Sequence, residues 1–134
     1  MSGRLSSDAT RWLLVSAYAC LILGLSSIPA GAMPEAPQLW RWDKVVHACE
    51  YALAAVLLFR ALRGSLFTVA ALTVLLCSAF AGLDELYQST IPGRDSSALD
   101  ILADITGATI ATIGAALSTQ ARPAKLSETR ETGE

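Results

Sequence analysis

Apolar residues in this chain gather into four long runs that are separated by short polar segments. The runs cover residues 11–28, 45–62, 66–83 and 99–118. At the rise of an α-helix, each run forms a rod of roughly 26–30 Å, close to the thickness of the hydrocarbon core of a bilayer. The pattern therefore predicts an all-α integral membrane protein built as a four-helix bundle.

The composition agrees with this interpretation. Of the 134 residues, 53% are hydrophobic and only 16% are charged. The formal net charge of -2 gives no electrostatic sign of nucleic-acid binding, so no such partner is expected. We predict one membrane domain at residues 1–120. The tail at 121–134 is polar, has no apolar period and is expected to be disordered.

The first run has a second interpretation, as a cleaved signal peptide. Arg4 and Arg11 precede the apolar residues, and small residues at 30–32 resemble a cleavage site. The run is long for the apolar part of a signal peptide, however, and the segment 26–29 resembles the end of a helix. We therefore expect a retained first helix.

The three cysteines lie inside apolar runs and share no metal-ligand spacing. They are Cys20, Cys49 and Cys77. Small packing residues are the expected role, and a disulfide or a reactive thiol is the alternative.

A first polar cluster begins the second run, at residues 43–51. Asp43, His47 and Tyr51 follow one another at intervals of four and so form one stripe on a helix. Asp43 as a helix cap and Lys44 as a snorkelling residue would be a purely structural explanation. That explanation does not cover Glu50, a carboxylate two turns inside the helix that needs a partner or water.

A second polar cluster, residues 84–104, joins the third run to the fourth. Asp84 and Gln88 lie four apart, with Glu85 one step round, so the third helix should extend to Gln88. The pair at 92–93, Pro-Gly, suits the centre of a type II turn that would bring Arg94 back over the helix ends. Arg94 then has two possible partners, a carboxylate of the protein or a phosphate of a ligand.

The fourth run begins with Ser97 and Asp100, which fit a capping box. Asp104 lies one turn deeper on the same face, and a cap does not explain it. Small residues continue near that face at Gly107, Ala111 and Gly114. They would allow close helix packing, so Asp104 should point into the bundle.

Basic residues predict orientation, because short loops rich in Lys and Arg stay in the cytoplasm. Seven lie on one side and three on the other, or four against three without the tail. Both termini are therefore predicted to be cytoplasmic, with both polar clusters and the loop at 29–42 facing outward. In that loop, Trp40 and Trp42 are expected to anchor the interface, with ligand stacking as the alternative. The seven basic residues on the cytoplasmic side are Arg4, Arg11, Arg60, Arg63, Arg122, Lys125 and Arg130. The three on the outer side are Arg41, Lys44 and Arg94.

Ionisable residues in apolar helices usually mark a site, so the two clusters together are the predicted ligand-binding site. Its members are Asp43, Lys44, His47, Glu50, Tyr51, Asp84, Glu85, Gln88, Arg94, Asp100 and Asp104.

These residues, in this order, resemble the VanZ-like family of bacterial membrane proteins. The resemblance rests on 43–51 and 84–94, with Asp100 and Gly107, and a weaker similarity at 25–27. It implies a small multi-spanning protein of the bacterial inner membrane. The namesake of the family is associated with low-level resistance to the glycopeptide teicoplanin. Many members have no resistance context.

Three functions remain open. The first is binding of an anionic lipid, a lipid-linked cell-wall sugar or a glycopeptide headgroup over Lys44, His47 and Arg94. The second is a hydrolase or transferase acting on a phosphate-bearing envelope lipid, for which His47, Asp84 and Glu85 are the catalytic candidates. The third is a structural network of salt bridges that holds the helices in register.

The chain shows no nucleophile elbow and no zinc-protease motif, so neither a cofactor nor a metal is expected. In the enzyme alternative, four acids could still bind Mg²⁺ or Mn²⁺, which prefer oxygen ligands. They are Asp84, Glu85, Asp100 and Asp104. The sequence leaves the oligomeric state open.

Overall fold

Four helices account for most of the chain. The computed structural model describes residues 2–32, 42–94 and 96–121, and the described residues contain no strand. The all-α prediction is thus confirmed. The predicted tail beyond Ala121 and the predicted anchor Trp40 lie outside the described residues. The elements are α1 (Ser2–Ser26), α2 (Asp43–Ala61), α3 (Leu66–Gln88) and α4 (Ala98–Gln120), with one turn of 3-10 helix at Ala30–Ala32.

Three of the four helices are long and apolar enough to cross a membrane. They are α1 over Ser7–Ser26, α3 and α4. Helix α2 lies where it was predicted, but Lys44, Glu50 and Arg60 interrupt its apolar character, and it is not among these three. Helices α2 and α3 each contact the other three helices, and α2 makes the most extensive of these contacts, with α4.

The helices pack with alternating directions. Tyr18 of α1 donates a hydrogen bond to the carbonyl oxygen of Glu50 over 3.3 Å, and near the other end of the pair Arg11 donates to the carbonyl oxygen of Arg60 over 3.3 Å. Helix α1 therefore runs antiparallel to α2. Arg63 at the end of α2 pairs with Asp8 of α1, so the basic residues of this part of the chain share one end of the bundle.

Helices α2 and α4 run parallel and form the most extensive contact in the bundle. Gly107 of α4 is buried directly against the backbone of Ala48, and a methyl group at this glycine would lie 2.6 Å from the carbonyl carbon of Ala48. Asp104, one turn away, is only 1% exposed. This confirms the prediction, made from the small residues near the same face, that Asp104 points into the bundle. Gly114 does not continue that face, since a methyl group at this glycine would have no atom of a neighbouring helix within 4 Å.

The cysteines divide between two environments. Cys77 is buried at 4% exposure and belongs to the apolar core, in agreement with a packing role. Cys20 and Cys49 are exposed instead, because they lie on the outward faces of α1 and α2, and all three thiols are free. The packing interpretation therefore holds for Cys77 only.

Replacing Gly107 with alanine should destabilise the protein, since the new methyl group overlaps the Ala48 backbone and forces α2 away from α4. Overpacking typically costs about 1–3 kcal/mol, and a backbone obstacle gives way less easily than a side chain. The matched control is Gly114→Ala, which meets open space and gains helix propensity. Thermal unfolding in detergent measures both variants. Equal melting temperatures for Gly107→Ala and wild type would contradict the close packing of α2 on α4.

Candidate functional site

The parallel contact between α2 and α4 brings together the first cluster and the acids of α4. The ammonium of Lys44 binds Asp100, and it also bonds to Asp43 over 3.0 Å. One turn deeper, Nδ1 of His47 lies 3.1 Å from Oδ1 of Asp104. Five α2 and α4 residues predicted to share a site are therefore adjacent, and each charge in this contact faces an opposite or protonatable partner.

Asp43 does not cap the start of α2. The residue before the helix is Trp42, whose side chain makes no capping bond, and Asp43 instead binds Lys44. The ammonium of Lys44 pairs with both Asp43 and Asp100, and its snorkelling toward the interface stays a prediction.

A second group of contacts ties α3 to α1. Ser26 donates a hydrogen bond to Oδ2 of Asp84 over 3.0 Å, and the amide nitrogen of Gln88 donates to the same oxygen over 3.1 Å. Ser27 and Tyr87 bond through their hydroxyl groups over 2.9 Å, next to this group. The last turn of α1 is therefore part of the site, although neither serine was among the predicted site residues. The similarity at 25–27 was the signal that indicated them.

The turn after α3 has the predicted form. Gly93 has a φ of +78°, and the N–H of Arg94 donates to the carbonyl oxygen of Ile91 over 3.1 Å, as in a type II turn. The guanidinium of Arg94 donates to the carbonyl oxygens of Leu25 over 3.0 Å and Ile28 over 3.2 Å, and to Oε1 of Gln88 over 3.0 Å. Arg94 therefore caps the open carbonyl end of α1 and joins it to α3.

Helix α4 begins with a cap, but with a different partner from the predicted one. The hydroxyl of Ser97 accepts from the N–H of Leu99 over 3.2 Å, so Ser97 is the cap. The N–H of Ser97 donates to the carboxylate of Glu85, and Asp100 does not fill that role. Asp100 binds Lys44 instead, because the parallel packing of α2 on α4 presents a cation to it.

Three polar groups at the centre of the cluster keep unused hydrogen-bonding capacity. The hydroxyl of Tyr51 has no hydrogen-bond partner among the described residues, and its side chain is only 1% exposed. Oδ1 of Asp84 is also buried and finds no partner in the described part of the chain. Glu50 is half-buried, and its carboxylate forms no hydrogen bond or ion pair with any residue that the structure describes.

Asp84 and Glu50 lie near enough to the Tyr51 hydroxyl to interact with it electrostatically. A buried polar atom without a partner costs roughly 1–3 kcal/mol, so the two buried atoms, on Tyr51 and Asp84, need an explanation.

The carboxylates that could share a metal ion differ from those expected. Within the described residues, ligand atoms of Asp43, His47 and Asp100 lie within 4.8 Å of one another. Asp84, Glu85 and Asp104 do not join this group, because they point to Ser26, to the Ser97 backbone and to His47. The ammonium of Lys44 already binds both Asp43 and Asp100, so a cation at this place is supplied by the chain itself.

Comparison with known proteins identifies one family. The family model described as VanZ/LLP1 matches residues 6–119, which include most of α1 and the whole cluster. No protein with a curated description and no solved structure matches the chain.

Changing Arg94 to lysine should destabilise the protein while preserving the charge. A lysine cannot reach the Leu25, Ile28 and Gln88 oxygens together, because that geometry requires the planar fork of a guanidinium. Losing hydrogen bonds to a charged donor and leaving carbonyl groups unpaired costs about 1–3 kcal/mol. Arg60→Lys is the matched control, since the Arg60 side chain is exposed at the opposite end of the bundle. A melting temperature of Arg94→Lys equal to that of Arg60→Lys would contradict this role.

Proposed function

The chain belongs to the VanZ-like family of membrane proteins, and from this premise we propose that its polar cluster binds the headgroup of an envelope lipid or of a glycopeptide. The site would lie at the outer face of the bacterial cytoplasmic membrane, as the distribution of basic residues predicts. A link to teicoplanin-type resistance is part of this proposal.

The observation that carries the proposal is the unused hydrogen-bonding capacity at the centre of the cluster. Most of the polar side chains there already bond to one another, which by itself would fit a structural network. Tyr51, Asp84 and Glu50 are different, because each retains a polar atom that no described residue satisfies. A ligand that bonds to these atoms would remove the cost of leaving them unpaired.

The chemistry of the unused groups favours one class of headgroup. Two are carboxylates, which accept hydrogen bonds when ionised, and the third is a hydroxyl. The cluster contains six acids against two permanent cations, and both cations already bind protein oxygens. A group that donates hydrogen bonds, such as an amine or a sugar hydroxyl, therefore suits the site better than a phosphate does.

The basic residues would then have a different role from the one expected from the sequence. Lys44 binds Asp43 and Asp100, His47 faces Asp104, and Arg94 donates to the end of α1. In our proposal these three residues hold the acids and helix ends in place, and the acids with Tyr51 contact the headgroup. A glycopeptide offers sugar hydroxyls and peptide N–H groups, and a lipid-linked cell-wall sugar offers hydroxyls.

One observation favours the enzyme as a second candidate. His47 lies between two carboxylates, with Nδ1 3.1 Å from Asp104 and Nε2 4.0 Å from Asp43. A histidine oriented by a carboxylate is a common arrangement for a general base. A hydrolase or transferase acting on an envelope lipid would then use His47 at the edge of the same cluster.

We expect Glu50→Gln to remove headgroup binding without loss of stability, because the Glu50 carboxylate bonds to no described residue and the substitution keeps the backbone carbonyl that accepts from Tyr18. The measurement is the melting temperature of the purified protein in detergent with teicoplanin, phosphatidylethanolamine or phosphatidic acid added. A ligand that binds the folded state raises the melting temperature. The first two probes should raise that of wild type more than phosphatidic acid does, and the difference should disappear in Glu50→Gln.

Asp8→Asn is the matched control, since Asp8 lies with Arg11 and Arg63 at the opposite end of the bundle. It should keep the response of wild type to each probe. A lower melting temperature of unliganded Glu50→Gln would support a structural network, and an equal response to phosphatidic acid would contradict the preference for a donor headgroup.

A further inference from the structure

An apolar groove lies beside the polar cluster, between α1 and α3 on the surface of α2. Its volume is about 190 Å³, and it is partly open to the surface. Apart from the Tyr18 hydroxyl and the Cys77 thiol, its walls are aliphatic and aromatic side chains. They include Val15, Ile22, Leu57, Leu58, Leu76 and Phe80. An apolar hollow of this size stays dry and accepts apolar groups, so water is not its expected occupant.

The surroundings of the groove limit what can enter it. Helices α1 and α3, which form its two edges, are both long and apolar enough to span a membrane. At the end near the polar cluster, the segment that ends α1 bonds to α3 through Ser26 with Asp84 and Ser27 with Tyr87. The groove therefore opens sideways between two membrane helices, where the neighbouring medium is lipid hydrocarbon.

One end of the groove adjoins the unused polar groups. The Tyr18 hydroxyl, on the groove wall, donates to the carbonyl oxygen of Glu50. Phe80, on the opposite wall, packs against Tyr51 with their ring centroids 6.1 Å apart. Ala54, on the floor, follows Glu50 by one turn of α2. A molecule that extends out of the groove along α2 would therefore reach Glu50 and Tyr51 next.

We propose that this groove holds the acyl chain of a membrane lipid, so that the ligand of the protein is an amphiphile with its chain between α1 and α3 and its headgroup at Glu50 and Tyr51. The inference rests on the proposed function for its headgroup part only. The acyl-chain part rests on three features of the groove: its apolar walls, its side opening and its contact with the polar cluster. Such a groove favours a lipid or a lipid-linked ligand over a ligand without an acyl chain.

A second hollow provides an internal comparison. It lies between α3 and α4, has a volume of about 310 Å³ and is lined by residues such as Phe67 and Ile113. Phe67 and Ile113 are exposed, and no residue that lines this hollow belongs to the polar cluster. Lipids that merely surround the bundle should contact this hollow as readily as the groove.

The test uses phosphatidylethanolamine that carries a photoreactive diazirine in its acyl chain, together with the whole protein in lipid bilayers. After illumination, mass spectrometry locates the crosslinked residues. We expect several-fold more crosslinks at Tyr18, Leu57 and Phe80 than at Phe67 and Ile113. An even distribution between groove and comparison hollow would overturn the proposal, and this measurement requires no variant to fold.

A filling variant adds a second test. Ala19→Trp places a large side chain in the groove, whereas Ala17→Trp places the same side chain on an exposed face of α1, outside the groove. Crosslinking in the groove should fall several-fold in Ala19→Trp and stay unchanged in Ala17→Trp. A folded Ala19→Trp protein with full crosslinking would overturn the proposal.

The two parts of the ligand can fail separately. Phosphatidic acid with the same photoreactive chain lacks the amine, so it reports on the groove without the headgroup. Equal groove crosslinking by both lipids in wild type would overturn the headgroup preference and leave the acyl site standing. A preference for the amine that is lost in Glu50→Gln, with crosslinks still located in the groove, would support both.

Discussion

Charged side chains inside an apolar helix bundle must find partners within the protein, and the close contact of α2 with α4 makes this possible here. Without a side chain at Gly107, α4 approaches the backbone of Ala48. At that separation Lys44 meets Asp100, and His47 meets Asp104 one turn further along. Burying an unpaired charge costs several kcal/mol, so the pairing and the packing depend on each other. The remaining helices attach to this pair.

The positions of the helices and of the polar site follow from the sequence. Runs of apolar residues indicate four helices, and the ends of α2, α3 and α4 agree with them closely. The Pro-Gly pair and Arg94 indicate the turn that the structure contains, because only a few turn types accept these residues. Periodicity also places Asp104 correctly inside the bundle.

The pairing between helices could not be predicted in the same way. A spacing of four residues shows which side chains share a face, but it does not show which helix lies opposite. For that reason Asp100 was assigned to a cap on its own helix, whereas it binds Lys44 and leaves the cap to Glu85. Ser26 was not among the predicted site residues, because a serine at a helix end has many possible roles and only a weak family similarity indicated it. The membrane orientation stays a prediction from basic residues, although Arg11 and Arg63 do share the end opposite Arg94.

We propose that the Tyr51 hydroxyl binds a ligand and does not stabilise the fold of the free protein. The most direct measurement is the melting temperature of Tyr51→Phe in detergent, without and with phosphatidylethanolamine. A buried hydroxyl without a partner costs free energy, so its removal should leave the melting temperature of the free protein unchanged or higher, and it should weaken the response to the lipid. A large drop in the melting temperature of the free variant, together with an undiminished response to the lipid, would contradict the account.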